Sequence, residues 1–415
     1  MSTWSDCGRS AAASLARQMT PRLLAWPVAV AVLALLTGCG SGGSDGGDRT
    51  QPTAPVLGSK AEEPRAAAEL GFPAFATKNT TRVGGADAVA GAAAIAQAVF
   101  PSRSPETRPA AVALVDRADW RAAISAAQLM SRPLRAPVLF TAGGKIPPAT
   151  QAALDALEPT GAGQAGGAQV LRVGDAPRPE GLEVRDLPGA DYTAQARAIA
   201  RLRASAARER EPKGPVLVAS ADHPAFAMAA AGWAAKEGTP VLWVEGGKVP
   251  AETRSAIRDH GRPRIYVLGP ESAVPQAVAS ELGKLGRVRR IAGPDAPRTA
   301  VSFARYRDGG FGWNVVDPGH GFVFASPERP EDAAAAAPLS ASGTYGPLLL
   351  VSEPGRLDPT VESYLLDVQP GFESDPVRGV YNHGWLVGDE SAISVDVQSR
   401  IDALFEIQPV DTTQP

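Results

Sequence analysis

The sequence contains only two cysteines, Cys7 and Cys39, and four histidines. Both cysteines precede the long segment that carries most of the predicted strands and helices, so disulfides cannot stabilise that segment. The histidines are scattered: His223, His260, His320 and His383. No two of them have the spacing of metal ligands. These absences exclude a disulfide scaffold, and they predict a protein with no bound metal and no cofactor.

The chain also lacks an excess of charge of either sign. Forty-one lysines and arginines face 44 aspartates and glutamates, which gives a net charge of −3. This balance argues against nucleic acid as a partner and against bulk attraction to an anionic surface. If the protein binds anions, it must use local clusters of basic side chains.

The long apolar run near the start is too short to span a membrane. It covers the 14 residues from Leu23 to Leu36, whereas a spanning helix needs about 20. Arginines precede it at Arg9, Arg17 and Arg22. This pattern predicts a signal peptide over residues 1–38.

The residues Leu36-Thr37-Gly38-Cys39 close this run and resemble the lipobox of bacterial lipoproteins. The resemblance implies that Cys39 receives a diacylglycerol and palmitate. The protein would then be held on the extracytoplasmic face of the cell membrane. The alternative is an ordinary signal peptide with an incidental cysteine. Residues 39–78 are rich in glycine, serine and proline, which predicts a flexible tether.

A short phrase occurs three times in the remaining sequence. It begins at Pro137, Pro240 and Pro347, with spacings of 103 and 107 residues. The first two copies continue with Gly-Gly-Lys, and the third with Pro354-Gly355-Arg356. A period of this length is too long for a solenoid unit and matches a small domain. We therefore predict three repeats, over residues 79–182, 183–286 and 287–415.

Each predicted repeat follows one order of elements. A glycine turn with an aspartate (Asp87, Asp191 or Asp295) comes before an alanine-rich helix. A continuously apolar strand, a helix of small residues, the Pro-Val-Leu strand, another helix and a last strand that ends in glycine follow. Strands that are apolar throughout are typical of sheets covered on both faces. The prediction is an α/β fold of three parallel-sheet units with helices on both faces.

This ordered set of motifs, found three times over about residues 80–405, resembles the cell wall-binding repeat type 2 family. The resemblance implies three units packed around a pseudo-threefold axis. It also implies non-covalent binding to an anionic cell-wall polymer. The polar positions of the family are the ones that differ here. Its aspartate at the start of the small-residue helix is present only as Asp332, while the first repeat has the displaced Asp119.

The Gly-Gly-Lys turns are the first candidate binding sites. They are not phosphate-binding loops, because Ile146 or Val249 follows the lysine where such a loop needs serine or threonine. Lys145, Lys248 and Arg356 would be matched cations just past the carboxyl ends of strands, where open α/β sheets bind ligands. The alternative is a tight turn with a solvated lysine.

A second group of candidates lies beside the starts of helices. Arg82, Arg290 and Arg298 could hold anionic groups with two hydrogen bonds each. The alternative is that they pair with neighbouring carboxylates on the surface. Together with Asp332 and the three turn cations, they complete the predicted polymer-binding residues.

No pattern of catalytic residues accompanies these candidates. Ser220 and Ser326 occupy corresponding strand ends, but neither lies in Gly-x-Ser-x-Gly. His223 and His320 are assigned to related polar turns of the second and third repeats. We therefore predict that the protein is not an enzyme.

The predicted function is that of a lipid-anchored, extracytoplasmic protein that binds an anionic cell-wall polymer or a peptidoglycan-associated glycan. One alternative is a solute-binding lipoprotein of a transporter, which would have two lobes and a cleft. Another is a scaffold whose repeats bind other envelope proteins.

Overall fold

The computed structural model describes residues 75–85, 87–208 and 214–410. The predicted signal peptide, Cys39 and the tether up to residue 74 lie outside these residues. Within them, no helix combines the length and the apolar character that a membrane span requires. Residues 75–78, which the sequence assigns to the tether, belong to a hairpin instead. In it, strand β1 (Phe75–Ala76) pairs antiparallel with β2 (Thr80–Val83).

Three sheets of four parallel strands form the framework. The first contains β3 (Val112–Asp116), β4 (Val138–Thr141), β5 (Val170–Val173) and β6 (Val184–Leu187). The second contains β7 (Val216–Ser220), β8 (Val241–Val244), β9 (Arg264–Leu268) and β10 (Arg287–Ile291). The third contains β2, β11 (Gly321–Ala325), β12 (Leu348–Leu350) and β14 (His383–Val387), with β1 added at its edge. This arrangement confirms the predicted parallel α/β fold.

The edge strands β2, β6 and β10 connect neighbouring repeats. The strand orders are β4-β3-β5-β6, β8-β7-β9-β10 and β12-β11-β14-β2. Thus β6 and β10 lie at the start of the second and third predicted repeats, yet each completes the sheet of the repeat before it. Strand β2, from the start of the first repeat, completes the third sheet, with Thr80 opposite Gly384 and Val83 opposite Val387. The three sheets are therefore joined in a closed ring.

Twelve helices lie between these strands in the described residues. An opening helix follows each edge strand: α1 (Ala88–Val99), α4 (Tyr192–Ala206) and α9 (Ala296–Arg305). The central helices are α2 (Trp120–Ala126), α5 (Pro224–Ala227) with α6 (Ala229–Glu237), and α10 (Glu331–Ala341). The remaining helices are α3 (Pro148–Leu157), α7 (Ala251–Asp259), α8 (Gln276–Gly283), α11 (Pro359–Asp367) and α12 (Val395–Leu404).

Short elements complete the description. Four 3-10 turns cover Pro105–Thr107, Ala127–Met130, Gly163–Ala165 and Pro376–Arg378. Strands β13 (Gly371–Phe372) and β15 (Gln408–Pro409) pair with each other beside the third sheet.

The aspartates in the opening turns cap the opening helices, as the sequence predicts. The side chain of Asp87 accepts hydrogen bonds from the amides of Val89 and Ala90, at 2.7 and 3.0 Å. Asp191 and Asp295 cap α4 and α9 in the same way. Each carboxylate satisfies amides that a helix start leaves unpaired, which explains why the motif precedes a helix in all three repeats.

The central helices pack against one another at the middle of the ring. Helix α10 contacts both α6 and α2, and α6 also contacts the turn Ala127–Met130. Small side chains make this close approach possible: Ala333 to Ala337 are at most 1% exposed. Gly232 of α6 packs directly against α10, because a Cβ atom there would be 2.8 Å from Ser340 Cβ. The family resemblance implied a pseudo-threefold axis, and these helices surround it.

An aromatic cluster joins the second and third repeats. Phe311 stacks on Tyr266 with ring centroids 3.6 Å apart and an angle of 3° between the rings. The Tyr266 hydroxyl donates to Asp308 at 2.9 Å. Trp233 meets Phe303, Phe311 and Trp313 edge to face. The segment before β11 is thus packed on the neighbouring sheet. Trp233, Trp243 and Trp313 are all buried.

Candidate functional site

The carboxyl edge of each sheet, where its parallel strands end, carries a turn with a cation. Strand β4 leads to the turn 142–145, in which the backbones of Ala142 and Lys145 exchange two hydrogen bonds of 3.1 Å. Strand β8 leads to the same turn at Glu245–Lys248, with bonds of 3.1 and 2.9 Å. Both central residues of these turns have positive φ: 56° and 73° in the first, 53° and 70° in the second. Glycine adopts this conformation without strain, which explains the Gly-Gly pair.

The three turn cations differ in their surroundings. Lys145 and Lys248 are exposed, and within the described residues no carboxylate is at ion-pair distance from either ammonium group. Arg356 is also exposed, but its Nη2 lies 2.6 Å from Oε1 of Glu353 in the same turn. Two repeats therefore present unpaired cations at equivalent positions, while the third presents a cation that is partly neutralised.

Arg82 and Arg290 have a different environment, with their guanidinium groups directed into the protein. Arg82 is 3% exposed and donates to the carbonyl oxygens of Gly388, Asp389 and Ile393 at 3.1, 2.9 and 2.7 Å. Arg290 donates to the carbonyls of Gly269 and Val274 at 2.8 and 2.9 Å. Both arginines fasten an edge strand to the loop after the neighbouring strand. In this conformation, they present little charge to a polymer.

The equivalent position in the first sheet is Asp186 of β6. It pairs with Arg172 and Arg178, each at 2.6 Å. No helix follows β5 as α8 follows β9 and α12 follows β14. The first repeat therefore has no matching loop for an arginine to hold. Arg298, the remaining arginine candidate, forms an ion pair with Asp295 of the same helix start.

A polar junction between the first and second repeats was missed by the sequence analysis. Arg121 Nε donates to the Ala221 carbonyl at 3.0 Å, and its guanidinium lies over the rings of Trp120 and Tyr192. Burial, together with the nearby Glu245, raises the pKa of the Tyr192 hydroxyl. The nearby Asp222 accepts from the amide of Gly246 at 2.7 Å and so supports the Glu245–Lys248 turn. The position of Arg121 in the first turn of the small-residue helix α2 was the available sequence signal.

Asp332 occupies the start of the central helix in the third repeat. It is completely buried, with Arg329 Nε 2.9 Å from Oδ2. Burial raises the pKa of Asp332 to about 7, although Arg329 acts in the opposite direction. Asp119, the displaced aspartate of the first repeat, caps α2 through the amide of Ala122 at 3.0 Å. Both aspartates hold the start of a central helix, and Asp332 is closed off from solvent.

The raised pKa of Asp332 gives the third repeat a pH-dependent stability. The carboxyl group loses its proton near pH 3.8 when the chain is unfolded and near pH 7 when it is folded. Its stabilising contribution is therefore complete below pH 3.8 and is lost as the pH rises toward 7. We expect the melting temperature of the wild type, relative to Asp332→Asn, to fall over this range. The change over the whole range corresponds to about 4 kcal/mol in the free energy of unfolding.

The control for this measurement is Asp191→Asn. A hydrogen bond from Thr193 lowers the pKa of Asp191, so its contribution is present above pH 3.8 and is lost as the pH falls further. The two variants should thus respond in different pH ranges and with opposite signs. The melting temperatures of the wild type and Asp332→Asn could differ by a constant amount from pH 4 to 7. That result would contradict the raised pKa assigned to Asp332.

The candidate serines and histidines do not assemble into a larger site within the part of the chain that the structure describes. Ser220 Oγ accepts from the amide of Asp222 at 3.2 Å, and Ser326 Oγ from that of Glu328 at 3.3 Å. Each hydroxyl therefore closes the turn after its strand. His223 follows β7 whereas His320 precedes β11, so the assignment of these histidines to related turns was wrong. Among the described residues, no three histidine, cysteine or acidic side chains are grouped to hold a metal ion.

The family comparison identifies two of the three repeats. Residues 187–279 and 290–398 match the family model of cell wall binding domain 2. The class is therefore that of proteins with cell wall binding domains, and the two matched segments belong to the cell wall binding domain 2 family. The first repeat lies outside the matched segments but has the same strand order. Cell wall binding is the property by which this family is described.

Two solved structures have a similar fold. Cwp6 from Clostridium difficile matches with a TM-score of 0.62 and 17% identity, over 79% of this chain and 48% of that chain. Cwp8 from Clostridium difficile matches with a TM-score of 0.59 and 17% identity, over 79% of this chain and 52% of that chain. This chain thus spans about half the length of either protein. A search of curated protein sequences finds no match.

Proposed function

We propose that this protein binds an anionic wall polymer, or a peptidoglycan-associated glycan, without covalent attachment. The observation that carries the proposal is the pair of unpaired cations, Lys145 and Lys248, on equivalent turns at the carboxyl edges of two sheets. The turns are rigid, because each is closed by two backbone hydrogen bonds. A polymer with regularly spaced negative groups would meet cations held in defined places. The proposal includes no catalytic step.

Arg356 has a smaller role in this proposal. Its ion pair with Glu353 must be opened or shared before it contacts a polymer. Arg82 and Arg290 do not contact the polymer in this proposal. Their role is to hold the loops beside the carboxyl edge in place. The family match supports wall binding in general, and the turn lysines supply the charge that makes an anionic polymer the ligand.

Binding to isolated sacculi tests the proposal. We expect the full protein to be retained by sacculi that keep their secondary polymers and to be released when those polymers are removed. Lys248→Gln should weaken retention severalfold, and Lys145→Gln with Lys248→Gln should weaken it by about tenfold, because each exposed cation contributes about 0.5–1 kcal/mol. Retention should also fall at high salt.

Arg103→Gln is the charge-matched control for Lys248→Gln. Arg103 is exposed and precedes the first sheet at the opposite edge. If Arg103→Gln weakens retention as much as Lys248→Gln does, net charge rather than the turns would explain binding. Equal retention by sacculi with and without their polymers would refute the proposal.

We further propose that Cys39 is lipidated and anchors the protein on the extracytoplasmic face of the membrane. The support is the sequence Leu36-Thr37-Gly38-Cys39 after an apolar run. Labelled palmitate should enter the wild-type protein but not Cys39→Ser, and the variant should leave the membrane fraction. Label in Cys39→Ser equal to that in the wild type would contradict this assignment.

A further inference from the structure

A groove crosses the amino edge of the ring, the side on which the parallel strands begin. Its first part is a cavity of about 440 Å³ where the three central helix segments end. Met130 and Ala341, the last residues of their segments, and Lys236, the last but one of α6, line it. The three segments therefore end together, and the cavity lies on the pseudo-threefold axis.

Two further cavities extend this first part. A cavity of about 180 Å³ shares Arg203 and Glu237 with it. A third, of about 850 Å³, shares Glu237, Thr239 and His260 with the second. Because neighbouring cavities share wall residues, they form one groove from the axis to the edge of the second sheet. We call it the amino-edge groove.

The amino-edge groove is strongly basic, although the chain as a whole is slightly acidic. Besides Arg203, its cations are Arg132, Arg135, Lys236, Arg262, Arg264 and Arg287. Among the described residues, Glu237 is the single carboxylate that lines these three cavities. Arg132, Arg262 and Arg287 are exposed, and none of the three forms an ion pair within the described residues.

Another cavity, beside β6, also contains several arginines but differs from the amino-edge groove in how they are paired. It measures about 590 Å³ and is lined by Arg185, Arg197 and Arg201. Arg197 already pairs with Glu252 and Asp259, and Arg201 pairs with Asp259, each at 2.9 Å. Its charge is thus largely neutralised. In the amino-edge groove, Lys236 pairs with Glu237 and Arg264 with Asp308. The exposed arginines Arg132, Arg262 and Arg287 keep their charge unpaired within the described residues.

The floor of the groove is rigid. Trp233, Tyr266 and Phe311 line its widest part and belong to the buried aromatic cluster between the second and third repeats. Lys236 lies over the Trp233 ring at 5.5 Å, which holds one of the cations in place. A concave, fixed channel with cations along its length suits one extended anionic chain better than a flat surface such as a membrane.

We infer that the amino-edge groove is a second polymer-binding site, which takes one strand that carries phosphate or carboxylate groups. The inference rests on the proposed function for the source of the polymer, but its residues are separate from the turn lysines. The ring would then contact polymer strands at both edges. One molecule could hold two strands together.

Binding of medium-chain inorganic polyphosphate and of polymer-bearing sacculi tests the inference with the full protein. We expect Arg262→Gln with Arg287→Gln to weaken polyphosphate binding about tenfold, because two exposed cations are lost. Arg132→Gln, at the axial end, should weaken it severalfold. The matched control is Arg103→Gln with Arg378→Gln, which removes two exposed cations outside the groove and should leave binding within about twofold. Melting temperatures should remain close to that of the wild type in all variants.

The outcomes separate this inference from the proposed function. If the groove pair and the control pair weaken polyphosphate binding equally, the inference is overturned. If sacculi binding depends on Lys145 and Lys248 but not on the groove arginines, the inference fails while the proposed function stands. If sacculi do not retain the wild type but the groove pair still reduces polyphosphate binding, the proposed function fails and the groove remains an anion site.

Discussion

Replacing Arg82 by methionine should lower the free energy of unfolding by about 3 kcal/mol. The guanidinium of Arg82 supplies hydrogen bonds to three carbonyl groups and to Gln398 Oε1, at 3.0 and 3.2 Å. Methionine would fill most of the space but leave these buried oxygens without donors. Burial already lowers the pKa of Arg82, so these hydrogen bonds offset an unfavourable desolvation. Urea denaturation measures the loss.

Two other arginines provide a graded comparison for this prediction. Arg290→Met removes bonds to two carbonyls at a less buried site and should lower stability by about 1–2 kcal/mol. Arg289→Met, at an exposed neighbouring position, should change it by less than about 0.5 kcal/mol. The role assigned to Arg82 fails if Arg82→Met is no more destabilising than Arg289→Met. Amide exchange should also increase in β2 and β14 of Arg82→Met before it increases in the first sheet.

The substitution Gly232→Ala should destabilise the centre of the ring by about 2 kcal/mol. A Cβ at this position would lie 2.7 Å from Ser340 Oγ, 2.8 Å from Ser340 Cβ and 3.3 Å from Trp313 Cζ2. The contact would force α6 and α10 apart, and this outweighs the gain of about 1 kcal/mol that alanine usually gives within a helix. Thermal denaturation measures the result.

The partner residue provides the sharpest check on Gly232→Ala. Ser340→Gly removes both serine atoms that the new methyl group would meet, so the double variant should regain part of the loss. The regained part is the coupling energy between the two sites. Gly283→Ala is the matched control, because a Cβ there has no atom within 4 Å. It should be neutral or slightly stabilising, and a loss there equal to that of Gly232→Ala would remove the packing explanation.

The strands at the middle of each sheet were predictable because their environment is uniform. Residues such as Val216 to Ala219 are completely buried, so every position is apolar and the pattern has no alternation. The caps Asp87, Asp191 and Asp295 were also predictable, since a capping interaction depends on residues two or three positions away. Local capping interactions and fully buried strands can therefore be predicted from a single sequence.

The edge strands β2, β6 and β10 were not predicted, and their sequences explain why. Strand β10 reads Arg-Val-Arg-Arg-Ile, with exposed and half-buried positions in turn, and β2 and β6 have only four residues each. Short, charged strands resemble loops. Their pairing also crosses the repeat boundaries that the sequence suggested. The boundaries of the three repeats therefore remain a prediction.

The candidate site was predicted only in part for a related reason. The Gly-Gly-Lys turns are local, so their conformation could be expected from the glycine pair. The partners of Arg82 are carbonyl groups more than 300 residues away in the sequence, which carry no side-chain signal. The amino-edge groove has walls from all three repeats, so no single repeat contains its pattern.

The closure of the ring by β2 also determines the order in which the three sheets can fold. Thr80 to Val83 are synthesised about 300 residues before the strand at 384–387 with which they pair. The first and second sheets take all their strands from nearby sequence, so either can form while the rest of the chain is still being made. The third sheet must wait, because contacts between distant residues carry the largest loop-closure entropy. Strand β2, although synthesised early, is therefore among the last strands to pair.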